Sequence, residues 1–381
     1  MYEIEYERGI ANRGNQARLK KVMDRAIRGE KLTIGFLGGS ITQGSLSSKP
    51  TLCYAYRVFD WWKQTFPQAE FTYVNAGIGG TTSHFGAARV QSDLLAYAPD
   101  FVIVEYSVND ESNDHFEETY EGLVRTIYQS ETKPAVVLVH NVFYHNGGNA
   151  QLIHSRIGRH YELPCVSMQS TIYPKVVAGE IENRQITPDD LHPNDQGHEL
   201  VASVITYFLN TVRQAVEQTG VDETEPEAMP QPLTANSYEH TLRINRNNYK
   251  PDMDGFTEDE SEQTDITDCF KNGWIANRKN ARISFSFEGS GVAIQYRKSV
   301  KKPACIAKVI VDGDPSTETI LDANFDEDWG DKLELDTITE HMQTGTHTAE
   351  LTIIEDDGGN AVPFYLTALI VAGGKLTESS Q

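Results

Sequence analysis

Lys31-Leu32-Thr33-Ile34-Gly35-Phe36-Leu37-Gly38-Gly39-Ser40-Ile41-Thr42 is an apolar run that ends on two glycines and a serine. Residues 31–38 lack the polar alternation of a half-solvated strand, so they predict a strand buried on both faces, as in parallel sheets covered by helices. Gly38-Gly39-Ser40 then marks a tight strand-to-helix turn. Working outward, residues 71–75, 101–106, 135–140 and 164–167 read as further buried strands, the last one short. Helical periodicity occupies residues 52–66, 84–97 and 116–130, and a final helix is predicted over about 194–218. This alternation predicts a three-layer α/β/α domain with right-handed crossovers over residues 1–218. Ligands of such sheets sit beyond the carboxyl ends of the strands.

The pattern then changes. Residues 219–236 (TGVDETEPEAMPQPLTAN) are acidic, rich in proline and aperiodic, and read as a linker. Period-two alternation follows in residues 281–298 (ARISFSFEGSGVAIQYRK), 306–315 (IAKVIVDGDP), 331–338 (DKLELDTI) and 347–373, punctuated by Gly, Asp and Asn. Residues 237–381 are therefore expected to form an all-β, jelly-roll-like sandwich of antiparallel strands.

The chain has 381 residues and carries 33 Lys+Arg against 55 Asp+Glu, a net charge of −22. So acidic a surface opposes nucleic acid, whose binding requires clustered bases, and anionic membrane. A neutral sugar or ester meets no such repulsion. No apolar run approaches the ~20 residues of a membrane span. The N-terminal residues have acids where a secretory leader needs bases and an apolar stretch, and no Asn-x-Ser/Thr sequon occurs, so the expectation is a cytoplasmic protein or one that has already lost a leader. Cys53, Cys165, Cys269 and Cys305 are scattered and predict free thiols rather than a disulfide framework or a zinc site.

Four segments fall where an open α/β site must lie. Gly38-Gly39-Ser40-Ile41-Thr42 presents a serine at a strand-to-helix turn, as an exposed nucleophile or as a helix cap. Asn75-Ala76-Gly77-Ile78-Gly79-Gly80-Thr81-Thr82 lets backbone N–H groups approach a ligand, or is a glycine-rich turn. Ser107-Val108-Asn109-Asp110 offers an amide that can donate to a developing oxyanion, or an Asx turn. In Asp189-Asp190-Leu191-His192-Pro193-Asn194, a carboxylate three residues before a histidine can accept from Nδ1–H and leave Nε2 free for a serine proton, or the loop merely caps the helix that Asn194 begins.

In order and spacing these four blocks resemble those of the SGNH (GDSL-type) esterase/lipase superfamily, over residues 31–210. The resemblance implies a flavodoxin-like fold in which Ser40 is the nucleophile, His192 the general base and Asp189 the orienting acid, Asp190 being its unused neighbour. It implies an oxyanion hole made by the N–H groups of Ser40 and Gly80 and the amide of Asn109, with no cofactor and no metal. Three positions depart from the family: Gly39 replaces the Asp of Gly-Asp-Ser, Thr81 the acid after the oxyanion glycine, and Ser107 the glycine of Gly-x-Asn-Asp. These departures argue against the lipase and thioesterase branches. With a sandwich behind it, the chain looks closest to two-domain carbohydrate acetyl esterases, the intracellular acetyl-mannan esterases of gut bacteria above all. The implied partner is an acetylated oligosaccharide of mannan or xylan type. The alternatives are a lipid or thioester acyl hydrolase and a non-catalytic carbohydrate-binding protein.

In the second domain Trp329, within DANFDEDWGD, is a candidate platform for a pyranose ring, while Trp274 reads as core. A sandwich of this kind also suits a homodimer. The acids between 252 and 268 fail the EF-hand spacing and read as a solvated loop. His84, His140, His145, His154, His160 and His198 lack metal-type spacing and read as structural or surface residues.

Overall fold

The computed structural model describes residues 2–375. The chain divides after Asn236 into two compact units; the last six residues of the expected second domain, and residue 1, lie outside the described residues.

The first unit runs β1 (Ile10–Asn12), α1 (Ala17–Ile27), β2 (Lys31–Gly38), α2 (Ser40–Gln43), α3 (Tyr54–Thr65), β3 (Glu70–Gly77), α4 (Ser83–Asp93), β4 (Phe101–Glu105), α5 (Asp114–Tyr128), β5 (Ala135–His140), α6 (Gln151–His160), β6 (Cys165–Ser167), α7 (Ile172–Val177), α8 (Asn183–Ile186) and α9 (Asp195–Thr219). The sheet order is β1-β6-β5-β4-β2-β3. β2 to β6 are parallel, and β1 lies antiparallel on the β6 edge. From β2 the chain goes to β3 on one side and returns to β4 on the other. The crevice at that reversal is where flavodoxin-like sheets hold their ligands.

α1, α3 and α9 pack together on one face of the sheet, and α4, α5 and α6 associate on the other. With helices on both sides, β4 and β5 are buried at every position, which is why they read as unbroken apolar runs. The core under α3 and α9 is built on Phe36, Trp62, Phe101 and Phe208, all fully buried. Neither β1 nor α1 was expected. β1 is three half-exposed residues at an edge, and α1 carries its apolar face (Leu19, Val22, Met23, Ala26) among five basic and acidic residues.

Residues 219–236 were expected as a linker, but the structure ties them to the first unit. Arg18 and Lys21 bind Glu225, and Lys20 binds Asp222 and Glu223. Further on, the buried Glu121 carboxylate accepts from the N–H groups of Leu233 and Thr234, the Thr234 hydroxyl and the Tyr161 hydroxyl. The acids that suggested a solvated tether are counterions of α1.

The second unit contains β7 (Thr241–Ile244), β8 (Asp252–Asp254), β9 (Thr257–Glu258), β10 (Trp274–Ala276), β11 (Arg282–Gly289), β12 (Gly291–Lys298), β13 (Ile306–Val311), β14 (Asp314–Asp322), β15 (Lys332–Thr339), β16 (Gly345–Glu355) and β17 (Phe364–Ala372). One sheet has the order β15-β12-β17-β10-β9 with β7 also paired to β17, and the other is β14-β13-β16-β11-β8. Every one of these pairings is antiparallel. Alternate residues meet in one core around Trp274, Phe285, Phe287 and Phe364. β14 escaped the sequence reading because it is an edge strand with eight of nine positions facing or partly facing solvent.

Candidate active site

Strand register brings the site together. Gly38, the last residue of β2, pairs with Gly77 at the end of β3 and with Glu105 at the end of β4. The segments after these strands therefore leave the sheet side by side. Ser40 opens α2, and Gly39 in front of it supplies no side-chain cap. The Ser40 hydroxyl does not cap the helix; it lies 2.8 Å from Nε2 of His192. Asn75 fastens α2 from the neighbouring strand by donating to the Thr42 carbonyl at 2.9 Å.

His192 comes from the loop between α8 and α9. That loop is pinned at its base, where the Asn194 N–H donates to the Ile186 carbonyl and the Asn194 amide to the Gln185 carbonyl. As predicted, Asn194 also caps α9 through Gln196 N–H and Gly197 N–H. Within the loop, Asp189 Oδ1 accepts from the backbone N–H groups of Leu191 (3.1 Å) and His192 (2.7 Å), and Oδ2 lies 2.6 Å from Nδ1 of His192. This one carboxylate both holds its turn and orients the ring, while the helix capping that the sequence offered as the alternative falls to Asn194. Burial raises the Asp189 carboxyl, but its bonds to the His192 ring and to the two backbone N–H groups outweigh that and hold it below the usual range. An ionised Asp189 accepts a hydrogen bond from Nδ1–H, so Nε2 presents its lone pair to Ser40. Asp190 faces away at φ 70° and binds Asn183 and Arg184.

Gly80 takes φ 69°, a left-handed conformation that favours glycine. Gly79 donates its N–H to the Gln43 side chain at 2.6 Å, which holds the turn against α2. The Asn109 side chain lies against Gly39: a Cβ built on Gly39 would come 2.3 Å from Asn109 Oδ1 and 3.3 Å from its Nδ2. Among the described residues the Gly80 N–H has no backbone acceptor, and the buried Asn109 Oδ1 has no donor.

Beneath these loops is a buried polar layer that the sequence did not reveal. Asp110 Oδ1 accepts from Ser83 N–H, at the start of α4, and Oδ2 lies 3.0 Å from Nε2 of His154. Burial raises the Asp110 carboxyl and lowers the His154 imidazole, so both are driven toward their neutral forms. Arg89, fully buried, donates to the Gly38 carbonyl and to the Tyr106 hydroxyl. Ser107, in place of the family's glycine, has its hydroxyl 2.9 Å from Glu105 and 3.1 Å from the Asn141 carbonyl. Thr81 donates to the Ile78 carbonyl. Asp110, Ser107 and Thr81 stood in the quoted blocks, though their partners did not show. Arg89 and Gln43 sit in ordinary helical sequence and leave no signal.

Trp329 is 58% exposed with its ring edge-on to Phe325, whereas Trp274 is core. His84, His140, His154 and His198 are buried. The four cysteines are free, Cys53, Cys165 and Cys305 among them buried. Among the described residues no cluster of His, Cys, Asp and Glu is arranged to hold a metal ion, and no helix is long and apolar enough to cross a membrane.

The GDSL-like lipase/acylhydrolase family matches residues 36–200. No curated protein matches the chain. Among solved structures, a two-domain esterase (CEX) active on acetylated mannans, co-crystallised with mannopentaose, is 62% identical with a TM-score of 0.94, covering 99% of this chain and 100% of its own. A second structure of a two-domain esterase (CEX) active on acetylated mannans is also 62% identical, with a TM-score of 0.95 over 98% of this chain and 100% of its own. An acetylxylan esterase from Geobacillus stearothermophilus is 18% identical, with a TM-score of 0.40 over 48% of this chain and 95% of its own. With the family match across its α/β unit and the full length of the mannan esterase covered, the chain belongs to the GDSL-like lipase/acylhydrolase family, among its two-domain esterases.

Proposed function

We propose that the protein removes O-acetyl groups from mannan-type oligosaccharides by acyl transfer through an acetyl-enzyme on Ser40. The observation that carries this reading is the hydrogen-bonded line Ser40–His192–Asp189, held in a chain 62% identical to an esterase active on acetylated mannans.

His192 Nε2 takes the Ser40 proton as Oγ attacks the acetyl carbonyl. Asp189 keeps the Nδ1–H tautomer and stabilises the imidazolium that forms. Charge on the carbonyl oxygen is met by the N–H groups of Ser40 and Gly80 and by the Asn109 amide. Each donor of this kind contributes about 10²–10³ in rate. As the tetrahedral intermediate collapses, His192 gives its proton to the departing sugar oxygen. Water then attacks the acetyl-enzyme, losing a proton to His192, and acetate leaves as Ser40 recovers its proton. The net charge of −22 places no electrostatic barrier before a neutral oligosaccharide. In the second unit, the exposed Trp329 offers a pyranose its flat face.

The test is incubation with acetylated manno-, xylo- and pectic oligosaccharides, followed by mass spectrometry for acetyl groups replaced by hydrogen. Wild-type protein is expected to deacetylate the manno-oligosaccharides fastest, and folded Ser40→Ala to leave all of them intact. Turnover retained in Ser40→Ala rejects the nucleophile; no loss of acetyl from any sugar with the wild type rejects the substrate class.

A further inference from the structure

Ser40 and His192 lie 152 residues apart in the chain, and α2, which Ser40 opens, is a single turn too short to fix itself. The loop from Gly44 to Cys53 that leaves α2 contains only one short turn of helix, and Leu46 within it is exposed with φ 63°. Its hold comes from the first turn of α9, immediately after His192-Pro193-Asn194. His198 lies between the two ends of the loop: Nδ1 accepts from Tyr54 N–H at 3.2 Å and Nε2 donates to the Ser45 carbonyl at 3.2 Å. Those partners dictate one neutral tautomer, because a backbone N–H needs a lone pair on Nδ1 and a carbonyl needs a proton on Nε2. Burial, which holds the His198 imidazole down to about 4, favours the same form. Asp195 grips the middle of the loop, accepting from Ser48 N–H at 2.7 Å and from its hydroxyl at 2.6 Å.

Both ends gripped by His198 lead directly to the nucleophile. Ser45 N–H and Gly44 N–H donate to the Ser40 carbonyl at 3.0 Å. Tyr54, buried, has its hydroxyl 2.8 Å from that of Thr42, two residues beyond Ser40. On the other side, the rigid Pro193 and the Asn194 cap join His198 and Asp195 to the His192 ring.

We infer that His198, assisted by Asp195, is a positioning residue that sets the Ser40 hydroxyl against the His192 ring by clasping the loop after Ser40 to the first turn of α9. The inference rests on Ser40 and His192 being the reacting pair. It goes beyond that pair, since His198 is buried and both side chains are engaged with the loop after Ser40.

The experiment compares wild type with His198→Ala, His198→Gln, His198→Asn and Asp195→Ala on 4-nitrophenyl acetate, each concentration corrected by titration with a serine-directed phosphonate. Misplacing reacting groups by about 1 Å costs up to about 100-fold, so His198→Ala is expected to lower kcat about 10- to 100-fold while KM stays put. The amide of His198→Gln or His198→Asn can restore one of the two bonds, and part of the lost kcat should return with it. Asp195→Ala should lower kcat in the same direction by less. A kcat per titrated site within about twofold of wild type in His198→Ala overturns the inference, as does a rise in KM that accounts for the whole loss. Where His198→Ala does not fold, wild-type kcat in both His198→Gln and Asp195→Ala overturns it equally. Failure of the phosphonate to label Ser40 in the wild type sinks the underlying reading instead, so the two failures are distinguishable.

Discussion

Gly39→Ala tests the oxyanion hole without touching any group that reacts. The backbone there has φ −88°, outside the left-handed region that favours glycine, and the constraint tested is one of space. The new methyl would stand 2.3 Å from Asn109 Oδ1, against ordinary contact at 3.4 Å or more. The Asn109 amide must therefore retreat by about 1 Å, enough to carry its donor off the carbonyl oxygen, and displacements of that size cost about 100-fold. The expected loss in kcat is about 10²-fold, or about 2.7 kcal/mol of transition-state stabilisation, close to that for deleting a single donor. KM for 4-nitrophenyl acetate should change little, and near-ultraviolet circular dichroism should remain native. The double mutant makes the reasoning strict. In Asn109→Ala the space beside Gly39 is empty, so Gly39→Ala added there should cost almost nothing more, a strong non-additivity for neighbours acting through one group. If Gly39→Ala keeps wild-type kcat, or if the two losses simply multiply, the amide is not the donor described.

Three further outcomes follow from the structure. Asp189→Asn should lower kcat by up to about 10⁴-fold by spoiling the His192 tautomer, whereas Asp190→Asn, whose partners are Asn183 and Arg184, should leave it unaltered; equal effects on kcat would refute the assignment of the acid. Glu121→Ala leaves four donors, three on Leu233 and Thr234 and the Tyr161 hydroxyl, without their acceptor, costing about 1–3 kcal/mol and lowering Tm by several degrees without changing kcat per active site, and an unchanged Tm would show that this attachment of residues 219–236 contributes nothing. Burial holds His198 down to about 4 against the ordinary 6.5 of a histidine, so between those pH values the unfolded chain binds a proton that the native ring refuses. Its share of stability is fully present above pH 6.5 and drains on acidification toward pH 4, by about 1.4 kcal/mol per pH unit; urea midpoints at pH 7 and pH 5 should therefore fall less in His198→Asn than in wild type, and equal falls would contradict this.

What was legible from the residues alone is what depends on local pattern. β2, β4 and β5 are buried on both faces by helices, so each had to be a continuous apolar run, and their limits were read almost to the residue. The chemistry-bearing blocks were visible because a serine after a glycine turn, an Asn-Asp after a strand and an Asp-x-x-His before a helix are contiguous. Edge elements such as β1 and β14 were not, since one side facing solvent relaxes the pattern. Residues 222–234 were misread for a related reason: a carboxylate bound to Arg18 or Lys20 is written in sequence like one bound to water. Whether Ser40 caps its helix or meets His192 is a question of distance between segments 152 residues apart in the chain. Only the register of Gly38 with Gly77 and Glu105, and the grip of α9 on the loop after Ser40, decided it. Sequence fixes which groups a chain owns, while hydrogen-bond geometry, falling off within a few tenths of an ångström, fixes which of them meet.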